Sequence, residues 1–134
     1  MAVTREQKAL ALHRIERAEA ALQEAQDELS GKNYLLTVNR AYYSVFYAVR
    51  AFLGTENIDS SKHSGVASLF SQQFIKTGIV PEVSFKAVQS LMGLRHEGDC
   101  QDFAEISMDE PAGSVGAAKA AMDSMGVVLK KLVK

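Results

Sequence analysis

Apolar residues recur along this chain at the spacing of a helix, and no stretch alternates in the manner of a strand. Ile15, Ala18, Leu22, Ala25 and Leu29 follow one another at steps of three and four, separated mostly by Arg, Glu, Gln and Asp. That pattern predicts an amphipathic helix from about Thr4 to Leu29. Ser30-Gly31 is its predicted stop, with glycine supplying the left-handed turn at a helix end.

The next segment, from Lys32 or Asn33 to about Leu53, is patterned differently. Steps of 100° per residue put Leu35, Val38, Tyr42, Val45, Phe46, Val49, Phe52 and Leu53 on one broad face. A second face carries Leu36, Tyr43 and Tyr47 with Arg40 and Arg50, and the remainder is small: Thr37, Ala41, Ser44, Ala48 and Ala51. A helix that is apolar or small nearly all round is covered from several sides. Other helices of the chain and a second subunit are the expected covers, so a homodimer through this Tyr-rich helix is predicted. Gly54 is the predicted stop.

Thr55 to Ser61 reads as a polar loop. Ser60 or Ser61 is the expected N-cap of a third helix over about Lys62 to Lys76, with Val66, Leu69, Phe70 and Phe74 inward and Thr77-Gly78 closing it. Pro81 opens a fourth helix that runs to about Glu97. Gly98 to Ile106 is expected to be irregular. Ser107-Met-Asp-Glu110 has the spacing of a capping box ahead of an alanine-rich last helix reaching about Leu132. The predicted fold is all-α, an up-and-down bundle of four to five helices, with residues 1–134 forming one domain.

Composition narrows the function classes. A length of 134 residues suits one domain of ~100–150 residues. Fifteen basic against sixteen acidic residues exclude a general electrostatic attraction to nucleic acid or anionic membrane. The lone Cys100 forms no internal disulfide, no apolar run approaches a membrane span, and Met1 to Lys8 lacks a signal-peptide core. A cytoplasmic address is expected. Three scattered histidines make no metal signature, and no Gly-rich phosphate loop is present, so no cofactor is implied.

The second helix carries more than a period. Asn39-Arg40-Ala41-Tyr42-Tyr43-Ser44-Val45-Phe46-Tyr47-Ala48 resembles the Arg-Ala-Tyr-Tyr-x-x-Phe pattern of the small HEPN-domain proteins of bacteria and archaea. Lys62-His63-Ser64-Gly65-Val66, Phe74-Ile75-Lys76-Thr77-Gly78 and Leu94-Arg95-His96-Glu97-Gly98-Asp99 resemble three further segments of that family, in the same order. In the last, Cys100 stands where the family has tyrosine. The resemblance covers nearly the whole chain. It implies a helical bundle, commonly dimeric, often paired with a minimal nucleotidyltransferase in a toxin–antitoxin or defence module. Many members are metal-independent ribonucleases with arginine four to six residues before histidine. Here seven residues separate Arg5 from His13 and twelve separate Arg50 from His63, while Arg95 adjoins His96. The motif is absent.

Candidate site residues follow from the chemistry of the side chains. Arg40, on a helix poor in charge, requires a carboxylate such as Asp99 or an acid of the first helix, or else contacts a phosphate. Tyr42 is expected in the core. Tyr43 and Tyr47 share a stripe with Arg40 and either pack at an interface or stack on a base. Lys62 and His63, with Ser61, sit at the start of the third helix, where free amides favour an anion. The bland reading of the pair is a solvated lysine beside a histidine bonded within its own helix. Arg95 and Asp99 have salt-bridge spacing, and Arg95 could instead stabilise a phosphorane-like state with His63 or His96 as acid–base partner. Arg40, Tyr43, Ser61, Lys62, His63, Arg95 and Asp99 are therefore the expected anion- or nucleotide-binding set, with His63 and Arg95 as catalytic candidates. Three functions stay open: a binding protein for a nucleotide, RNA or nucleotidyltransferase; a ribonuclease with a non-standard site; and a non-catalytic interaction module.

Overall fold

The computed structural model describes residues 3–100 and 109–134, with side chains for 3–93 and 111–134. Five helices are present and no strand occurs among the described residues: α1 (Arg5–Ser30), α2 (Tyr34–Thr55), α3 (His63–Phe70) continuing into a π-helical turn (Ser71–Ile75), α4 (Glu82–Cys100) and α5 (Asp109–Leu132). The fold is all-α as the periodicity predicts. No helix among the described residues is long and apolar enough to cross a membrane.

α1 begins on a full capping box. The Thr4 hydroxyl accepts from the Gln7 amide while the Gln7 side chain accepts from the Thr4 amide. The chain then reverses over three residues, so α1 and α2 lie antiparallel. Three side-chain contacts, one of them to a backbone carbonyl, fix their register. Arg14 donates to the Arg50 carbonyl at 2.8 Å, Arg17 to the Tyr47 hydroxyl at 3.2 Å, and Arg40 pairs with Glu24 at 3.5 Å. About 100° further round each helix from this flank lie small residues: Ala11, Ala18 and Ala25 on α1, and Thr37, Ala41, Ser44, Ala48 and Ala51 on α2, all fully buried. Their 3.5-residue spacing is that of a coiled-coil seam, and with no side chain in it larger than that of Thr37 the two backbones approach closely.

The larger residues of α2 build the rest of the core. Tyr42, Val45, Val49, Phe52 and Leu53 join Phe70 and Phe74, Val88 and Leu91 of α4, and Met122, Met125 and Leu129 of α5. α2 thus packs against α1, α3, α4 and α5. This is the covering from several sides that its composition predicts.

Four features of the helices differ from the sequence reading. The left-handed residue after α1 is Lys32 (φ 62°), not Gly31 (φ −81°). The Lys32 amide bonds the Leu29 carbonyl and the Asn33 amide the Glu28 carbonyl, a Schellman motif one residue later than expected. α2 runs through Gly54 to Thr55 and ends in the same motif at Asn57 (φ 56°), whose follower Ile58 bonds back to Leu53. Gly54 is there for space: a Cβ would lie 3.2 Å from the Arg14 guanidinium and 3.6 Å from Leu10. The third helix is not continuous, because the Lys76 amide reaches back to the Ser71 carbonyl and leaves one π turn. α4 extends through Gly98 to Cys100, where an irregular stretch was expected. Gly78 (φ 81°) lies in the left-handed region just after the π turn, where Thr77-Gly78 is predicted to close the third helix. The expected capping box at Ser107–Glu110 lies outside the described residues.

Two substitutions test this account by urea denaturation. Ala48→Leu should lower stability by about 1–3 kcal/mol, because the seam has no room for the added carbons. Lys32→Gly should raise it by about 0.5–1 kcal/mol, because a side chain is disfavoured in the left-handed conformation that position holds.

Candidate functional site

The corner where the start of α3 meets the middle of α2 is held by an aromatic cluster. Tyr42, Tyr43, Phe46 and Tyr47 occupy consecutive turns of α2, so their rings project side by side. His63, the first residue of α3, lies against them. Its ring centroid is 4.3 Å from that of Phe46, it stacks at 5.8 Å on Tyr42, and it meets Tyr43 edge to face at 5.9 Å. Its Nδ1 is 2.8 Å from the Tyr42 hydroxyl. The histidine is therefore bonded to the core of α2 rather than within its own helix, which corrects the bland expectation. Tyr42, buried as predicted, is the partner the sequence reading did not assign.

Arginines lie over the outer rings of this cluster. The Arg40 guanidinium is 5.1 Å from the centre of the Tyr43 ring, and that of Arg17 is 4.5 Å from Tyr47. Arg40 also donates twice to the Asn39 side-chain oxygen, at 2.7 and 3.1 Å. Its acid on the first helix is Glu24, one of the two expected kinds of partner. This pair is partly exposed, so it contributes at most about 1 kcal/mol.

The loop between α2 and α3 places His63. Asp59 is its anchor: the carboxylate accepts from Arg50 at 2.6 Å, sits 3.6 Å from Arg14, and takes the Ser60 amide at 2.8 Å. Burial pushes the Asp59 carboxyl up, but the Arg50 hydrogen bond, the Ser60 amide and the charges of Arg50 and Arg14 outweigh it, and the group titrates below its ordinary value. Arg14 is itself lowered, first by burial and then by Arg50, with Asp59 opposing, and remains a cation. Nothing in the local sequence marks this triad; only the α1–α2 register brings Arg14 beside Arg50.

Ser60 or Ser61 is the N-cap that the sequence predicts, yet the residue in that position is Lys62, whose side chain makes no capping bond. Ser60 instead turns beneath the helix start, its hydroxyl accepting from the Lys62 amide at 3.3 Å. It fits because position 65 is glycine: a Cβ there would collide with the Ser60 hydroxyl and lie 2.9 Å from its Cβ. Ser61 and Lys62 are exposed at the corner. The structure thus brings Arg40, Tyr43, Lys62 and His63 to one corner, with Ser61 at its rim. The side chains of Arg95, His96, Asp99 and Cys100 lie outside the described residues; the backbone there is helical, so the four-residue spacing from Arg95 to Asp99 spans one turn. Among the described residues no group of three or more His, Cys, Asp or Glu could hold a metal ion.

Residues 11–134 match the HEPN domain family. The chain is 35% identical over 96 residues to a protein of Methanocaldococcus jannaschii named "Putative toxin", covering 72% of this chain and 65% of that one. A second protein of that organism with the same description is 34% identical over 85 residues, 63% of each chain. A "UPF0332 protein" of Thermotoga maritima is 30% identical over 116 residues, 87% of this chain and 88% of the relative. The match thus spans just under two thirds of the length of the two archaeal relatives and most of the bacterial one.

Two measurements probe the loop anchor. A carboxyl held low binds its proton more weakly folded than unfolded. Its contribution is therefore complete above the unfolded value of ~3.9 and is lost as pH falls through the folded value. Asp59→Asn should lower the urea midpoint at neutral pH and reduce the loss seen on acidifying to about pH 3. Gly65→Ala should destabilise the wild-type background and cost much less in Ser60→Gly, a coupling that a double-mutant cycle reads directly.

Proposed function

The chain belongs to the HEPN domain family, and from that premise we propose that it binds RNA at the corner formed by Arg40 and Tyr43 of α2 and Lys62 and His63 of α3, as part of a toxin-like module. The observation that supports this best is the placement of His63, fixed by Tyr42 and Phe46 beside a tyrosine over which a guanidinium lies. Exposed Lys62 and the amides of the first turn of α3 favour a phosphate, and aromatic rings with arginine favour a base. With a net charge of −1 on the whole chain, attraction must be local, and such a corner supplies it. The relatives described as toxins agree with this reading.

Partners belong to the same proposal. A homodimer through α2 is favoured by Leu35 and Leu36, which are 55% and 51% exposed on an otherwise covered helix. A minimal nucleotidyltransferase is the partner that the family suggests, and co-purification with one would support it. Residues 1–134 are read as one HEPN-like domain.

Fluorescence anisotropy with a labelled single-stranded RNA tests the reading. Wild-type protein should bind, and Lys62→Ala and Arg40→Ala should each weaken binding several-fold while circular dichroism stays unchanged. Absence of binding by the wild type would refute it. Incubation of the same RNA with EDTA present distinguishes the ribonuclease alternative: cleavage abolished by His63→Ala would make the chain an enzyme. Light scattering of wild type against Leu35→Lys/Leu36→Lys reads the dimer.

A further inference from the structure

A second feature extends from this corner along the other side of α3. Two adjoining depressions, of about 370 and 400 Å³, lie between α3 with its π turn and α4, and both are lined by Ser71, Lys76, Phe85 and Gln89. Each has the size of a ligand pocket, roughly 300–1,000 Å³. The first continues past Gln72 and Ser68 to Ser64, the residue next to His63. It also shares Ala67 and Met92 with the small apolar pocket that His63, Tyr42 and Phe46 line. The second ends at Lys86, with Glu82 its lining carboxylate. One groove therefore runs from Ser64, beside His63, to Lys76 and Lys86.

The chemistry of the lining is uneven. Arg14, Arg40 and Arg50 all have carboxylate partners. Lys76 and Lys86 are exposed and make no ion pair among the described residues. Serine hydroxyls and glutamine amides line the wall between the lysines and His63, and Phe85 leaves part of its ring uncovered. The π turn widens the helix where Lys76 leaves it.

We propose that this groove is the track of a single-stranded RNA whose phosphates meet Lys76 and Lys86, whose base stacks on Phe85, and whose continuing strand reaches His63. The inference rests on the RNA-binding reading above and names the path of that ligand. Two cations without an ion pair among the described residues, spaced along a groove, suit a repeating anion, and one half-buried ring with flanking amides and hydroxyls suits a base without demanding a sequence.

The test is anisotropy with a labelled oligouridylate of about ten nucleotides, a length within the span of single-stranded sites, measured over a salt series. Lys76→Gln/Lys86→Gln should weaken binding about tenfold or more and reduce the slope of log K against log[salt] by about 1.4, or ~0.7 per phosphate contact. Phe85→Leu should weaken binding at least several-fold with little change in slope, because stacking carries no counterion. Binding lost in Lys62→Ala but unchanged in Lys76→Gln/Lys86→Gln would overturn the track while leaving the corner intact. Absence of wild-type binding would overturn both. A polyglutamate peptide that competes as strongly as the RNA, through the same two lysines, would assign the groove to an acidic protein segment and overturn the proposal.

Discussion

Close packing of α1 on α2 is the constraint from which the rest of the structure follows. With Ala11, Ala18 and Ala25 on one helix and Thr37, Ala41, Ser44, Ala48 and Ala51 on the other, the two helices meet along a narrow seam of small side chains. A seam of small residues has a sharp preferred register, because sliding by one residue would drive a larger side chain into it. That register sets Arg14, Arg17 and Glu24 opposite Arg50, Tyr47 and Arg40. The polar contacts at the edge of the seam are consequences of its methyl groups.

The same register reaches the site through Asp59. Arg50 comes from α2 and Arg14 from α1, and their shared carboxylate holds the loop that ends at Lys62. Ser60 then tucks under Gly65, and His63 arrives at Tyr42. The corner is thus preorganised by a chain of contacts beginning at the hairpin rather than by its own loop sequence. Preorganised donors lose less entropy when a ligand binds.

Helices and their faces were legible because burial on one side imposes a 3.6-residue period, and the family emerged because four short segments keep their order. Helix ends were less legible. Lys32 takes a conformation that glycine would favour although Gly31 stands beside it, and Gly54 sits inside a helix because Arg14, remote in sequence, needs its space. Among site residues, Lys62 and His63 could be picked out at a helix start, but the bond from His63 to Tyr42 spans 21 residues and has no local signal. The triad around Asp59 was missed for the same reason. A search for charged pairs in an antiparallel register, with Arg40 opposite Glu24, would have exposed it.

The central position of α2 also bears on synthesis. α1 can cover its narrow face as soon as Thr55 is made, since the hairpin uses local contacts that form fast. The broad face, with Tyr42, Val45, Val49 and Phe52, waits for α4 and α5, and α5 ends at Leu132. At ribosomal speeds that delay is roughly 4–15 s, far longer than the hairpin needs to form. During it a nascent chain carries an uncovered aromatic stripe, the surface on which chaperones or a second nascent chain would first act.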